Sequence, residues 1–294
     1  MNKAPRLLSI LCLVLLQVSH EQSFGGQSVE ELMRNDPFNV RPTPAAELVA
    51  GLSDEQRKAI RLPQDGKAEV FAFEFDIPPG GNKANKWLVL SVNADGSCRA
   101  GVSYHPDEPV ARGQLSDDQV TWIMHLAVNE AKLLADLPAD EKRKPQEDLL
   151  PAQLVKIRIA TLEGTSSLSM SRLEMSNRDR PWYQSLRELH MYARKLAVEV
   201  HAGGEAAILE IVQSINEELT EQHPELPPFE TWHLSSAGPF FGSPAASFRQ
   251  RRKFFGGYHL TVYATYLGRD HNPPWIRFRV EKAARPASGL ADQP

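Results

Sequence analysis

The chain has 294 residues, enough for one large domain or two ordinary domains with real hydrophobic cores. Its net charge of −4 does not suggest a general nucleic-acid binder. It contains only two cysteines, Cys12 and Cys98, so a four-cysteine metal site is excluded by counting.

Residues 1–25 are predicted to be a cleavable signal peptide. A basic start is followed by a mainly apolar run over 7–18, which is shorter than the roughly 20 residues of a membrane-spanning helix. Ser23 and Gly25 supply the small side chains expected before a cleavage site. We therefore expect a secreted or periplasmic mature chain without a transmembrane span. The alternative is that the segment is retained as an anchor.

The next segment, residues 27–66, is predicted to be a leader of short helices and extended chain. Ser28 and Ser53 each stand three residues before a Glu or Gln, which is the capping-box pattern of a helix start. Prolines within 36–44 exclude a helix there.

Residues 67–137 are predicted to form a sheet backed by a helix. Phenylalanines alternate with other residues from Phe71 onward, which is typical of a strand. A turn ending at Gly96 predicts a hairpin, and Ser116 is placed to cap an amphipathic helix. The charged, proline-containing stretch over 138–151 then predicts a domain or subdomain boundary.

Residues 152–285 are predicted to be a C-terminal α+β domain, followed by a disordered tail over 286–294. A hairpin and a long amphipathic helix over 181–201 repeat the strand-strand-helix order of the first unit, and a second helix follows over 205–221. The last predicted strands are 229–235, 247–254, 258–267 and 274–282. The chain is thus predicted to be α+β, with antiparallel sheets each backed by amphipathic helices. Its two strand-strand-helix units are expected to be similar, and whether they are a duplication stays open.

Charge is unevenly distributed in the C-terminal third. Residues 205–230 hold seven acidic side chains and no Lys or Arg, whereas residues 249–285 hold nine basic side chains against two acidic ones. Arginine pairs with carboxylate, sulfate or phosphate, and aromatic rings stack on sugars, so the basic segment predicts an anion-binding face. The candidate ligand-binding residues are Arg249, Arg251, Arg252, Lys253, Arg277 and Arg279. A second interpretation is that the acidic helix packs beside the basic sheet, so that their electric fields partly cancel. The alternation of the aromatic residues favours a third, in which they form the sheet core and the basic residues form its solvated side.

The sequence carries none of the local signatures of the common catalytic sites, such as GxSxG, HExxH or a phosphate-binding glycine loop. We therefore predict no catalytic residues, no cofactor and no metal site. The expected function is that of an exported, non-enzymatic binding protein for an anionic glycan or another exported protein, with no nucleic-acid partner. Two alternatives remain open: an exported hydrolase whose site has no local motif, and an inhibitor or accessory subunit of another exported protein.

Overall fold

The structure is a computed structural model that describes most of the chain. The described residues are 41–77, 85–101, 110–135, 154–171, 181–224, 226–240, 243–254, 258–267 and 275–284. The predicted signal peptide, the Ser28 capping box, the 138–151 boundary and the 286–294 tail lie outside these residues. Within them, helices and two antiparallel sheets are present, which confirms the predicted α+β class.

The helices and strands follow in this order. The first part of the chain contains α1 (Ala45–Ala50), α2 (Asp54–Ala59), β1 (Glu69–Ile77), β2 (Asn85–Asn93), β3 (Ser97–Ala100), β4 (Ala111–Gln114), α3 (Asp117–His125), a π-helical turn (Leu126–Glu130), β5 (Leu154–Thr161) and β6 (Gly164–Ser171). The second part contains α4 (Pro181–His201), α5 (Glu205–Gln222), a 3₁₀ turn (Thr231–His233), β7 (Leu234–Phe240), β8 (Ser243–Phe254), β9 (Tyr258–Leu267) and β10 (Trp275–Ala284).

The chain divides into two compact units. The larger unit comprises Arg41–Gln250 and Thr261–Glu281, and it contains the whole first sheet and most of the second. The smaller unit comprises Met1–Val40, Arg251–Leu260 and Lys282–Pro294.

Two helix starts follow from the sequence. The Ser53 hydroxyl accepts a hydrogen bond from the Gln56 N–H at 3.2 Å, and the Ser53 N–H donates to Gln56 Oε1 at 2.9 Å. Ser116 and Gln119 make the same reciprocal pair at the start of α3. Each box satisfies backbone N–H groups that have no partner inside the helix, so both predicted caps are confirmed.

The first sheet has six antiparallel strands in the order β4-β3-β2-β1-β5-β6. Strand β1 lies in the middle, with Phe73 opposite Leu90 of β2 and Ile157 of β5. The strands on either side of the 138–151 stretch therefore join one sheet. This pairing was not visible in the sequence, which showed only that each group of strands was followed by a helix.

Helix α4 packs on one face of this sheet through its predicted apolar stripe. Leu186, Leu189, Ala193 and Leu196 are fully buried in the same core cluster as Phe71 and Phe73. Complete burial of a leucine side chain contributes about 1.5–3 kcal/mol. A Cβ at Gly113 of β4 would lie 3.0 Å from Val200 Cγ1, so a glycine allows the end of α4 to approach this strand closely.

Strand β7 begins later than the strand that we predicted over 229–235. The Glu230 N–H donates to Nδ1 of His233 at 2.8 Å, and this bond belongs to a capping box that starts the short 3₁₀ turn. The backbone is consequently helical at the position where the sequence alone indicated extended chain. The short strand β4 was not predicted, since its sequence, ARGQ, has no large apolar side chain.

Glu199 is a largely buried carboxylate between α3 and α4. Its Oε2 accepts a hydrogen bond from Gln119 Nε2 at 3.0 Å, and its Oε1 lies 3.7 Å from Lys195 Nζ. Burial raises the pKa of the Glu199 carboxyl, and the neighbouring Lys195 only partly opposes this shift. The ionised form is therefore costly in the folded chain.

Replacing Glu199 with glutamine should raise the free energy of unfolding at neutral pH, by on the order of 1 kcal/mol. Because folding raises this pKa, the contribution of the group to stability is complete below the unfolded-state value of about 4.3 and is lost as the pH rises through the folded-state pKa. Urea unfolding across this pH range measures the effect.

The control for that experiment is Glu188→Gln, which alters an exposed carboxylate of the same helix and should leave stability unchanged. A Glu199→Gln protein that is less stable than wild type at neutral pH would mean that the pairing with Lys195 outweighs the burial cost.

Candidate anion-binding face

In the second sheet, with strand order β10-β9-β8-β7, strands β8 and β9 have one buried face and one more open face, whereas Val280 on β10 is exposed on the same side as Phe278. Successive side chains of a strand point to opposite faces, and in β8 and β9 the even-numbered residues are the buried ones. These are Ala246, Phe248, Gln250, Val262, Ala264 and Tyr266. Their odd-numbered neighbours, which include Ser247, Arg249 and Tyr263, are half-buried or exposed.

Phe229 connects the buried face to helix α5. Asn216 of α5 donates from Nδ2 to the Phe229 carbonyl at 2.9 Å and accepts the Phe229 N–H at 2.7 Å. The Phe229 ring then lies edge-on to the fully buried ring of Phe248, with centroids 6.4 Å apart. Helix α5 and the chain that follows it therefore lie on the buried side of the sheet.

Two further contacts define that side. Gln250 of β8 donates from Nε2 to the carbonyls of Pro227 and Pro228, at 3.2 and 2.7 Å. The His223 ring lies 5.8 Å from the ring of Phe278 on β10. Since Phe278 points to the buried side, the residues next to it along β10 point to the open side.

Arg279 on β10 is held on the open face by two neighbours. The centre of its guanidinium lies 4.7 Å from the centroid of the Tyr263 ring on β9, and its Nη2 lies 2.8 Å from Oε1 of Glu281. Stacking and pairing orient the guanidinium, while 64% of the side chain stays exposed. A guanidinium has five N–H donors, so the contact with Glu281 leaves donors for a ligand.

Three of the six arginine and lysine candidates lie on this open face. Arg277 and Arg279 alternate with Phe278 on β10, and Arg249 is an exposed odd-numbered residue of β8. Strand β9 separates the two strands, so Arg249 lies roughly 10 Å from β10 across the sheet. Trp275, also odd-numbered on β10, is 49% exposed. We call the surface formed by Arg249, Tyr263, Trp275, Arg277 and Arg279 the open face.

The other three candidates are Arg251, Arg252 and Lys253. Their backbone continues β8, but they belong to the smaller unit and their side chains lie outside what the structure describes. Their role in binding stays a prediction.

An arginine of the first sheet provides a useful contrast. Arg158 donates from Nε and Nη2 to Glu69 and from Nη1 and Nη2 to Glu74, at 2.9 to 3.3 Å. These hydrogen bonds, led by those to Glu74, raise the pKa of the guanidinium. Glu69 also accepts a hydrogen bond from Ser91 at 2.8 Å. Arg158 is thus occupied by carboxylates of its own sheet, which makes it a poor ligand-binding candidate.

The reactive groups Cys98 and His233 are buried. Cys98 is 6% exposed, and burial raises the pKa of its thiol to about 11, so the thiol is protonated at neutral pH. His233 is 7% exposed, and its Nδ1 accepts a hydrogen bond from the Glu230 N–H at 2.8 Å. Both side chains are therefore part of the packed interior.

Within the residues that the structure describes, no three His, Cys, Asp or Glu side chains are grouped as a metal ion would require. Among the helices of these same residues, none is both long and apolar enough to cross a membrane.

Comparisons of the chain with protein-family models, with curated proteins and with solved structures gave no match.

Sequence reasoning identified the basic segment but did not separate its aromatic residues by face. Phe248 and Tyr266 belong to the buried face, whereas Tyr263 and Trp275 belong to the open face. Glu281, which orients Arg279, was not selected as a site residue. Counting odd and even positions outward from the strongly apolar Phe248 would have found this division within β8, but not across strands whose register was unknown.

Truncation of a side chain should cost much more stability on the buried face than on the open face. Phe248→Ala should cost about 3–5 kcal/mol in the free energy of unfolding because it empties a closed core position. Trp275→Ala should cost less than about 1 kcal/mol because half of that side chain already contacts water. Chemical denaturation of both variants makes the comparison, and a larger loss at Trp275 would show that the faces are wrongly assigned.

Proposed function

We propose that this chain is an exported binding protein that recognises an anionic partner through its open face and acts by binding rather than by catalysis. One observation carries the proposal: Arg249, Arg277 and Arg279 lie on the same exposed side of a sheet as Trp275 and Tyr263. Export rests on the basic and apolar pattern of residues 1–25.

The arginines favour a partner with several negative charges. Arg277 and Arg279 are two positions apart along β10, which corresponds to about 7 Å in a strand. Arg249 adds a third positive charge across the sheet. A single small anion would contact one guanidinium, whereas a polyanion contacts several at once and gains affinity from their proximity.

The aromatic residues favour a sugar polymer among the polyanions. Trp275 presents a large flat surface of which about half is exposed, at the start of the strand that carries both arginines. Exposed aromatic rings of this kind bind apolar ring faces while their edges stay in water. Charge and stacking together support an acidic glycan, carboxylated or sulfated, as the partner class.

The proposal is tested by the binding of the mature chain, residues 26–294, to a sulfated polysaccharide, a polyuronic acid and a neutral dextran. Arg277→Ala should weaken binding to the acidic polymers about tenfold, which is equivalent to losing one charge-assisted contact of about 1.4 kcal/mol. Trp275→Ala should weaken glycan binding but not the binding of inorganic polyphosphate. Titration calorimetry at low and moderate salt measures both effects.

The matched control is Arg112→Ala, which removes an exposed arginine from β4 of the first sheet. If Arg112→Ala and Arg277→Ala lose the same affinity for the acidic polymers, the binding is unspecific charge attraction. No binding to any acidic polymer would overturn the proposal. A variant with Arg251, Arg252 and Lys253 changed to Ala tests whether the other predicted cluster contributes.

A further inference from the structure

Helix α5 has an acidic exposed face. The helix carries five glutamates and neither Lys nor Arg. The exposed positions recur every three to four residues along one side, as expected for one face of a helix. They are Glu205, Ala206, Leu209, Glu210, Gln213, Glu217, Thr220 and Glu221; Gln222, the last residue of the helix, is also exposed. Leu209 is 60% exposed, so this face also presents one large apolar side chain.

This acidic face and the basic open face point in opposite directions. The buried residues of α5, such as Ile211 and Ile215, are on the other side of the helix, and Asn216 connects the helix to the buried face of the sheet through Phe229. The helix itself lies between its acidic face and the sheet, and its diameter of about 10 Å exceeds the Debye length of about 8 Å in physiological salt. The two charged faces are therefore not in contact within one chain.

We propose that a second copy of this chain is a partner of the open face, with α5 of one copy docking on the open face of the next. The inference rests on the proposed function, because it names an anionic partner for the same arginines. The two faces are complementary in charge, and each presents a large exposed apolar side chain, Leu209 on the helix and Trp275 on the sheet. An acidic glycan would then compete with the second copy for Arg277 and Arg279.

The contact joins two different surfaces and is therefore heterologous. Repetition of such a contact builds rings or open chains rather than a two-fold dimer. Since it depends on exposed charges, it weakens as salt rises. Glycan binding should dissociate the assembly, so self-association limits access to the open face.

Sedimentation of the mature chain over a concentration series, at about 50 mM and about 500 mM salt, tests the proposal without any substitution. We expect the average mass to increase with concentration at low salt and to return to the monomer value at high salt. Addition of a sulfated polysaccharide at low salt should also remove the self-association.

Charge reversal identifies the surfaces. Arg277→Glu with Arg279→Glu reverses the charge of the open face, and Glu210→Arg with Glu217→Arg reverses the charge of the α5 face. Each double variant should self-associate at least about tenfold more weakly. The variant with all four changes keeps the wild-type net charge and restores complementarity, so it should assemble again. Reversal of Glu55 and Glu163, two exposed acids outside α5, is the matched control and should retain assembly.

The outcomes separate the two proposals. A chain that stays monomeric at every concentration but binds acidic glycans through Arg277 overturns the self-association and keeps the proposed function. The pairing of α5 with the open face is also contradicted if assembly persists in both double variants. It is contradicted as well if assembly does not return in the variant that carries all four substitutions. Loss of glycan binding together with retained, charge-dependent assembly would overturn the glycan as partner and keep the second copy.

Discussion

The packing of Phe229 against Phe248 determines which side of the second sheet is buried. Phe229 is fixed to α5 by both its N–H and its carbonyl, through the amide of Asn216. Its ring packs on Phe248, and Ala246 and Gln250 of β8 are buried on the same side. The alternation of strand side chains then leaves the remaining residues on a solvent-facing surface. The position of the arginines is a consequence of this core contact.

The chemistry of the open face follows from how its arginines are held. In the first sheet, the guanidinium of Arg158 is paired with the carboxylates of Glu69 and Glu74. Arg279 has one carboxylate and one aromatic ring, and its side chain stays mainly exposed. Such a group is oriented but still accessible, which favours recognition of a ligand because less side-chain entropy is lost on binding.

Local signals in the sequence predicted the local structure well. Ser53 and Ser116 marked two helix starts through their capping boxes, and helix α4 has the predicted bounds 181–201. The apolar stripe of that helix was also readable, because Leu186, Leu189 and Leu196 recur at helical spacing. These features depend on residues within one or two turns of each other.

Features that depend on distant residues could not be predicted. The pairing of β1 with β5 joins segments about eighty residues apart, and no local pattern encodes it. Likewise, the side on which Trp275 lies is set by the position of β10 beside β9 and by the cover over Phe278. The sequence indicated a basic, aromatic segment, but tertiary packing decides which of its side chains can meet a ligand.

Thiol accessibility tests directly whether the second sheet has one open and one closed face. Thr265→Cys and Ala264→Cys place one thiol on each face of β9, and native Cys98 is buried. We expect a maleimide to modify the folded Thr265→Cys protein, whose thiol is half-buried, faster than the folded Ala264→Cys protein, which should react only when it unfolds. Equal rates in the two folded proteins would contradict it.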